Sequence, residues 1–157
     1  MKKLLLLILV LAYSCTNNNP ERFVYAFSKN AGLEIIQNEG SYMQWGNIIE
    51  GSNLVFEYEF HAEDDENIAD DEYSEYIRFE IDANSNEFQF EGAALSDIKL
   101  TLTQSCFCGF FDEEKDVPAT GTISGTKISE NRWAISIDVT FYGDQRRTFT
   151  SNFYLKN

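Results

Sequence analysis

Apolar and polar residues alternate with a period of two along much of this chain, the pattern of strands with one face buried. In LVFEYEFH, residues 54–61, Phe56, Tyr58 and Phe60 share one face and Glu57 and Glu59 the other. In YIRFEID, residues 76–82, Ile77, Phe79 and Ile81 oppose Arg78, Glu80 and Asp82. The turn-forming ANSN follows, and EFQFE resumes with Phe88 and Phe90 on one side, which predicts a local hairpin. Ile98, Leu100 and Leu102 then alternate with Lys99, Thr101 and Thr103. The last third reads as a three-strand meander. Its middle strand carries Trp133, Ile135, Ile137, Val139 and Phe141 on a single parity. Near the start, RFVYAFS and GLEII predict two further strands, while SYMQWGNII (41–49) is ambiguous and allows a short helix.

About nine or ten short strands in one domain must pack as two sheets or close into a barrel. The expected fold is all-β, a single antiparallel β-sandwich over residues 23–157, with a lipocalin-like barrel as the alternative. The sandwich is preferred because lipocalins carry G-x-W near the first strand, whereas Trp45 stands five places after Gly40.

The N-terminus breaks the pattern. Lys2 and Lys3 precede an unbroken apolar stretch, Leu4 to Ala12, which is too short for the ~30 Å hydrocarbon core and has the flanks of a secretory leader. The segment Leu11-Ala12-Tyr13-Ser14-Cys15 resembles the lipobox of bacterial lipoproteins, although Ala12 stands where that family usually has Leu. The resemblance covers residues 1–15 only. It implies that residues 1–14 are removed as a signal peptide and that acyl chains are attached to the Cys15 thiol. The alternative is ordinary secretion, with Cys15 an incidental thiol. Thr16-Asn17-Asn18-Asn19-Pro20 is polar, aperiodic and carries a breaker, so residues 15–22 read as the lipidated cysteine and a short tether. From Thr16 to Arg22 that tether spans at most about 25 Å.

Charge narrows the partners. The chain holds 12 Lys and Arg against 26 Asp and Glu. Without the leader's two lysines, 10 basic residues face 26 acidic ones, a net charge of −16. That balance excludes nucleic acid as a partner and works against anionic headgroups, so the membrane contact would come from acyl chains on Cys15. Between Asn30 and Ile77 there is no Lys or Arg and there are thirteen acids.

Within the acidic stretch, Glu63, Asp64, Asp65, Glu66, Asp70, Asp71 and Glu72 supply the hard oxygen ligands that calcium takes. Their spacing does not fit an EF-hand loop, and a solvated loop extended by like charges is the competing account. No other cofactor is expected. Cys106 and Cys108 lie on one parity, with Cα atoms about 6.6–6.8 Å apart on a regular strand. That is the outer limit for a disulfide, so a local bridge and a pair of buried reduced thiols both stay open. Tyr42, Trp45 and Tyr142 fall outside the inward rows and are candidates for stacking on a ligand. His61, the lone histidine, has no activated nucleophile in any recognisable motif.

No catalytic residue is assigned. The expected function is a non-catalytic binding or interaction module, exported and lipid-anchored in the envelope of a Gram-negative type bacterium. The periplasmic side of the outer membrane is preferred, with the cell surface as the alternative. The partner would be a protein or a neutral ligand. Two other classes remain: an acidic inhibitor or immunity-like protein masking a basic partner, and, with least support, a hydrolase.

Overall fold

The computed structural model describes residues 20–37, 44–63, 72–106, 117–142 and 144–156. Among these residues the alternating segments form nine strands: β1 (Arg22–Gln37), β2 (Gln44–Glu50), β3 (Asn53–His61), β4 (Ser74–Asp82), β5 (Glu87–Glu91), β6 (Thr101–Ser105), β7 (Thr120–Ser129), β8 (Arg132–Thr140) and β9 (Arg146–Leu155). The fold is all-β. One hydrogen-bonded sheet runs β5-β7-β8-β9-β1-β3-β4-β6, with β2 added to β1.

Every pairing is antiparallel except β1 with β9, which is parallel and confined to Ala26 opposite Tyr154 and Phe27 opposite Leu155. At that narrow junction the sheet turns over, so that β5-β7-β8-β9 faces β1-β3-β4-β6. Phe56 of β3 meets Trp133 of β8 edge-on at 5.5 Å between ring centres. Phe79 of β4 meets Phe88 of β5 at 5.9 Å. The outer strands β5 and β6 do not pair. The sheet is therefore not closed; the arrangement is sandwich-like, and the lipocalin-like barrel is not adopted.

Aromatic rings fill the space between the layers. Phe27, Phe56, Ile77, Phe79, Trp133 and Phe153 are all buried, each contributing about 1.5–3 kcal/mol or more by leaving water. Phe56 and Phe79 stack at 5.0 Å and 9°, an arrangement that offset rings favour. Opposite Phe88 on β7 stands Gly125. A Cβ there would come within 2.4 Å of Phe88 Cε1 and 2.6 Å of Ile135 Cδ1, so the bare backbone is what lets the ring lie flat across the strand.

The C-terminal meander β7-β8-β9 forms as expected. Three local expectations do not. β4 and β5 are joined by a turn at Asp82–Ser85 but do not pair with each other. β4 already has β3 and β6 on its flanks, so β5 crosses to the facing layer, where Phe88 and Phe90 pack on the core. RFVYAFS and GLEII are one strand, β1, interrupted at Ser28–Ala31, where Asn30 has φ +52°. Asparagine tolerates that conformation because its short side chain can bond locally. The first half of β1 pairs with β3 and the second with β2. In the third case, residues 44–49 belong to strand β2 and not to a helix. Its period of two was masked because a glycine, Gly46, takes an inward position while Trp45 and Ile49 face out.

Candidate functional site

Behind the aromatic core, β3 and β4 turn Val55, Glu57, Arg78 and Glu80 to the other face. The alternation placed these charges in water, but the hairpin of β1's second half and β2 lies over them. Leu33 and Val55 pack beneath it with Ala31. Glu57 is only 4% exposed. Arg78 donates from Nε to Glu57 at 2.6 Å and from Nη1 to the Gly46 carbonyl at 2.9 Å. Lys156 pairs with the second oxygen of Glu57. The Glu80 carboxylate accepts the Leu33 N–H at 2.6 Å and pairs with Lys99 at 2.8 Å. Thr103 donates to the Gln44 carbonyl at 2.7 Å. Side chains of one layer thus satisfy backbone groups of the next, which buried polar atoms require. Burial pushes the Glu57 carboxyl up, but Lys156 and Arg78 outweigh it and hold the group below its ordinary value.

A second polar cluster sits inside the sandwich at one end. Glu75 is on the same face of β4 as Ile77 and Phe79, and it is buried. Arg147 of β9 donates to it from Nε at 2.8 Å and Nη2 at 2.6 Å, and the Tyr73 hydroxyl donates at 2.9 Å. The amides of Gln104 and Gln145 bond reciprocally at 2.8 and 2.9 Å. Glu75 holds the Arg147 guanidinium above its ordinary value. Burial, then the charge of Glu75, pushes the Tyr58 hydroxyl up; burial does the same for Tyr73. Because the carboxylate is fully engaged by a guanidinium and a phenol, this cluster is built to close the end of the core.

Beside it lies a cavity of about 550 Å³. It occupies the seam that barrel closure would have sealed, between β6 and the segment 117–119 that enters β7. The 3-10 turn Gly92–Ser96 forms one wall. Leu95, Leu100, Leu102, Ala119 and Ile35 make it largely aliphatic, with the ring of Phe141 beside them. Tyr142 lines it too, its hydroxyl reaching the Leu102 carbonyl at 3.4 Å and Gln104 at 3.3 Å. That volume falls within the about 300–1,000 Å³ of small-ligand sites.

Of the candidate aromatics, Tyr142 is therefore at the cavity. Trp45 is on the outer face of β2, 38% exposed beside Ile36, and does not line it. Tyr42 lies outside the described residues. Of the acidic group, Glu63 and Glu72 are exposed where β3 and β4 run out, past an Ala62–Tyr73 backbone bond of 2.9 Å. Asp64, Asp65, Glu66, Asp70 and Asp71 lie outside the described residues. Among the described residues no group of three or more His, Cys, Asp or Glu is placed to hold a metal ion. Cys106, just past β6, is disulfide-bonded; Cys108 and Cys15 lie outside the described residues. His61 pairs with Glu59, which Arg22 also reaches.

The cavity itself was not foreseen, since its walls come from strand ends and a turn whose residues look like ordinary core. The one hint was Gly92, which has φ +55° and breaks the alternation before Leu95. Among the described residues no helix is long and apolar enough to cross a membrane. Set against known protein families, curated proteins and solved structures, the chain matches none of them.

Proposed function

We propose that this chain is a lipid-anchored envelope lipoprotein whose β domain is a non-catalytic binding module, with the seam cavity as its binding site. The cavity is the observation that carries the binding reading. It is concave, mostly aliphatic and bordered by a few polar groups, the ordinary anatomy of a small-ligand site. Near it the buried carboxylates Glu57 and Glu75 and the partly buried Glu80 are each held by cations, so among the described residues no carboxylate pair converges there for hydrolysis. The anchoring reading rests on Cys15 and the polar tether. The competing inhibitor reading drew on the acids between Asn30 and Ile77, and it is weakened because Glu57 and Glu75 are turned inside.

Anchoring is tested by metabolic labelling with a radioactive fatty acid. Wild-type chain should take up label and sediment with membranes, and Cys15→Ala should do neither. Equal labelling of the two would refute it. Binding is tested by capture at low and high salt: retention of a ligand as ionic strength rises supports the cavity. Release of a basic protein partner would instead favour electrostatic masking.

A further inference from the structure

The polar groups around the cavity point to the class of molecule it takes, an inference that rests on the cavity being the binding site. Each polar side chain among the described residues of its wall already spends a donor inside the protein. Ser96 Oγ donates to the Ala93 carbonyl at 2.8 Å, and Thr101 Oγ1 to the Arg78 carbonyl at 3.5 Å. Tyr142 donates toward Leu102 and Gln104, and Gln44 Nε2 toward Gln37 at 3.5 Å. Lys99 is the one cation among the described lining residues, and its ammonium is shared between Glu80 at 2.8 Å and the Leu33 carbonyl at 2.8 Å.

An anionic head needs several donors not already engaged elsewhere, or an unpaired cation, to replace its water. Among the described wall residues no cation is unpaired and each polar side chain has already spent a donor, and the chain as a whole is strongly acidic, with a net charge of −14. A free ammonium would need a carboxylate, and none of the described lining residues is acidic. What remains is aliphatic surface with lone pairs at its border. We propose that the cavity binds a neutral, largely aliphatic amphipath whose single hydroxyl-bearing head stays at the mouth, as in a fatty alcohol or a monoacylglycerol. Apolar burial supplies the affinity, at about 0.8 kcal/mol for each methylene taken from water. A tether of at most about 25 Å would keep such a site within reach of a bilayer that supplies the molecule.

The test uses the full chain in phosphatidylcholine vesicles with a diazirine-bearing dodecanol, cross-linked by light, and peptides mapped by mass spectrometry. Label should concentrate in the segments 92–102 and 117–142. Excess 1-dodecanol should reduce it about tenfold, while laurate at the same concentration leaves it. Ala93→Trp fills the mouth from an exposed wall position and should abolish the concentrated label. Ser96→Phe, also exposed, repeats the test should the first variant fold poorly. If laurate competes as well as dodecanol, the neutral class is wrong and the binding site stands. If wild type shows no concentrated label, or both variants keep it, the cavity is not a binding site and both readings fall.

Discussion

Strands β3 and β4 separate two interiors of opposite chemistry. On one side Phe56, Tyr58, Ile77 and Phe79 meet rings from β8, β9 and β5. On the other, Glu57, Arg78 and Glu80 meet the backbone of the β1–β2 hairpin and the ammonium groups of Lys99 and Lys156. Both faces are covered, the aromatic one fully and the ionic one in large part, yet they hold the fold differently. The aromatic side is stabilised by area removed from water, which needs only shape. The ionic side must offset the desolvation of each charge with a partner, so it contributes little net stability while fixing where the hairpin sits. A polar half of an alternating strand is therefore not the same thing as a wet one.

The largest effect should come from the aromatic side. Trp133→Ala removes a ring that is 1% exposed and should cost about 3–5 kcal/mol in urea unfolding. A loss no greater than that of a surface variant would mean the layers are not packed on one another.

Breaking the ionic side should cost less. Arg78→Met leaves Glu57 with Lys156 alone and the Gly46 carbonyl without its donor, a loss of about 1–3 kcal/mol. Replacing both Glu57 and Arg78 by Leu should recover much of that, because no buried charge is then stranded. A double variant worse than the single one would show that the pair contributes net stability.

pH separates the two interiors again. Glu57 titrates below its ordinary value of 4.5 in the folded chain, so its contribution is present above that value and is lost as pH falls through the folded pKa. The stability gap between wild type and Glu57→Gln should therefore shrink on acidification, and a constant gap would refute the pairing. Tyr25, Tyr58 and Tyr73 are raised from 10.0. They favour the fold below that pH and cease to as it rises through their folded values. Their phenolate absorbance should appear at higher pH in the folded chain than in the unfolded one.

The smallest effect is expected at the surface. Asp138 pairs with Arg146 at 2.8 Å, with their side chains 51% and 63% exposed. Asp138→Asn should leave the melting temperature unchanged, since solvent screens such pairs.

Much of the core was legible in the sequence. Trp133, Ile135, Ile137 and Val139 fall on one parity because a strand turns alternate residues to opposite faces, and that needs no knowledge of neighbours. Glu75 and Arg147 were not legible. Each sits on an inward parity among apolar residues, 72 positions apart, and only the facing of β4 and β9 brings their charges together. Nor did Gly51 announce itself. It packs against the break in β1, where an added Cβ would come within 2.7 Å of the Ala31 backbone.

The chain by itself determined the strands, the inward rows and an acidic balance, because each depends on neighbouring side chains and on composition. Tertiary structure alone decided that β5 crosses to the opposite layer, that a hairpin covers the charged face of β3 and β4, and that a cavity opens in the unpaired seam. Those outcomes depend on which strand edges remain free once the others have paired, and pairing is a contest between segments far apart along the backbone.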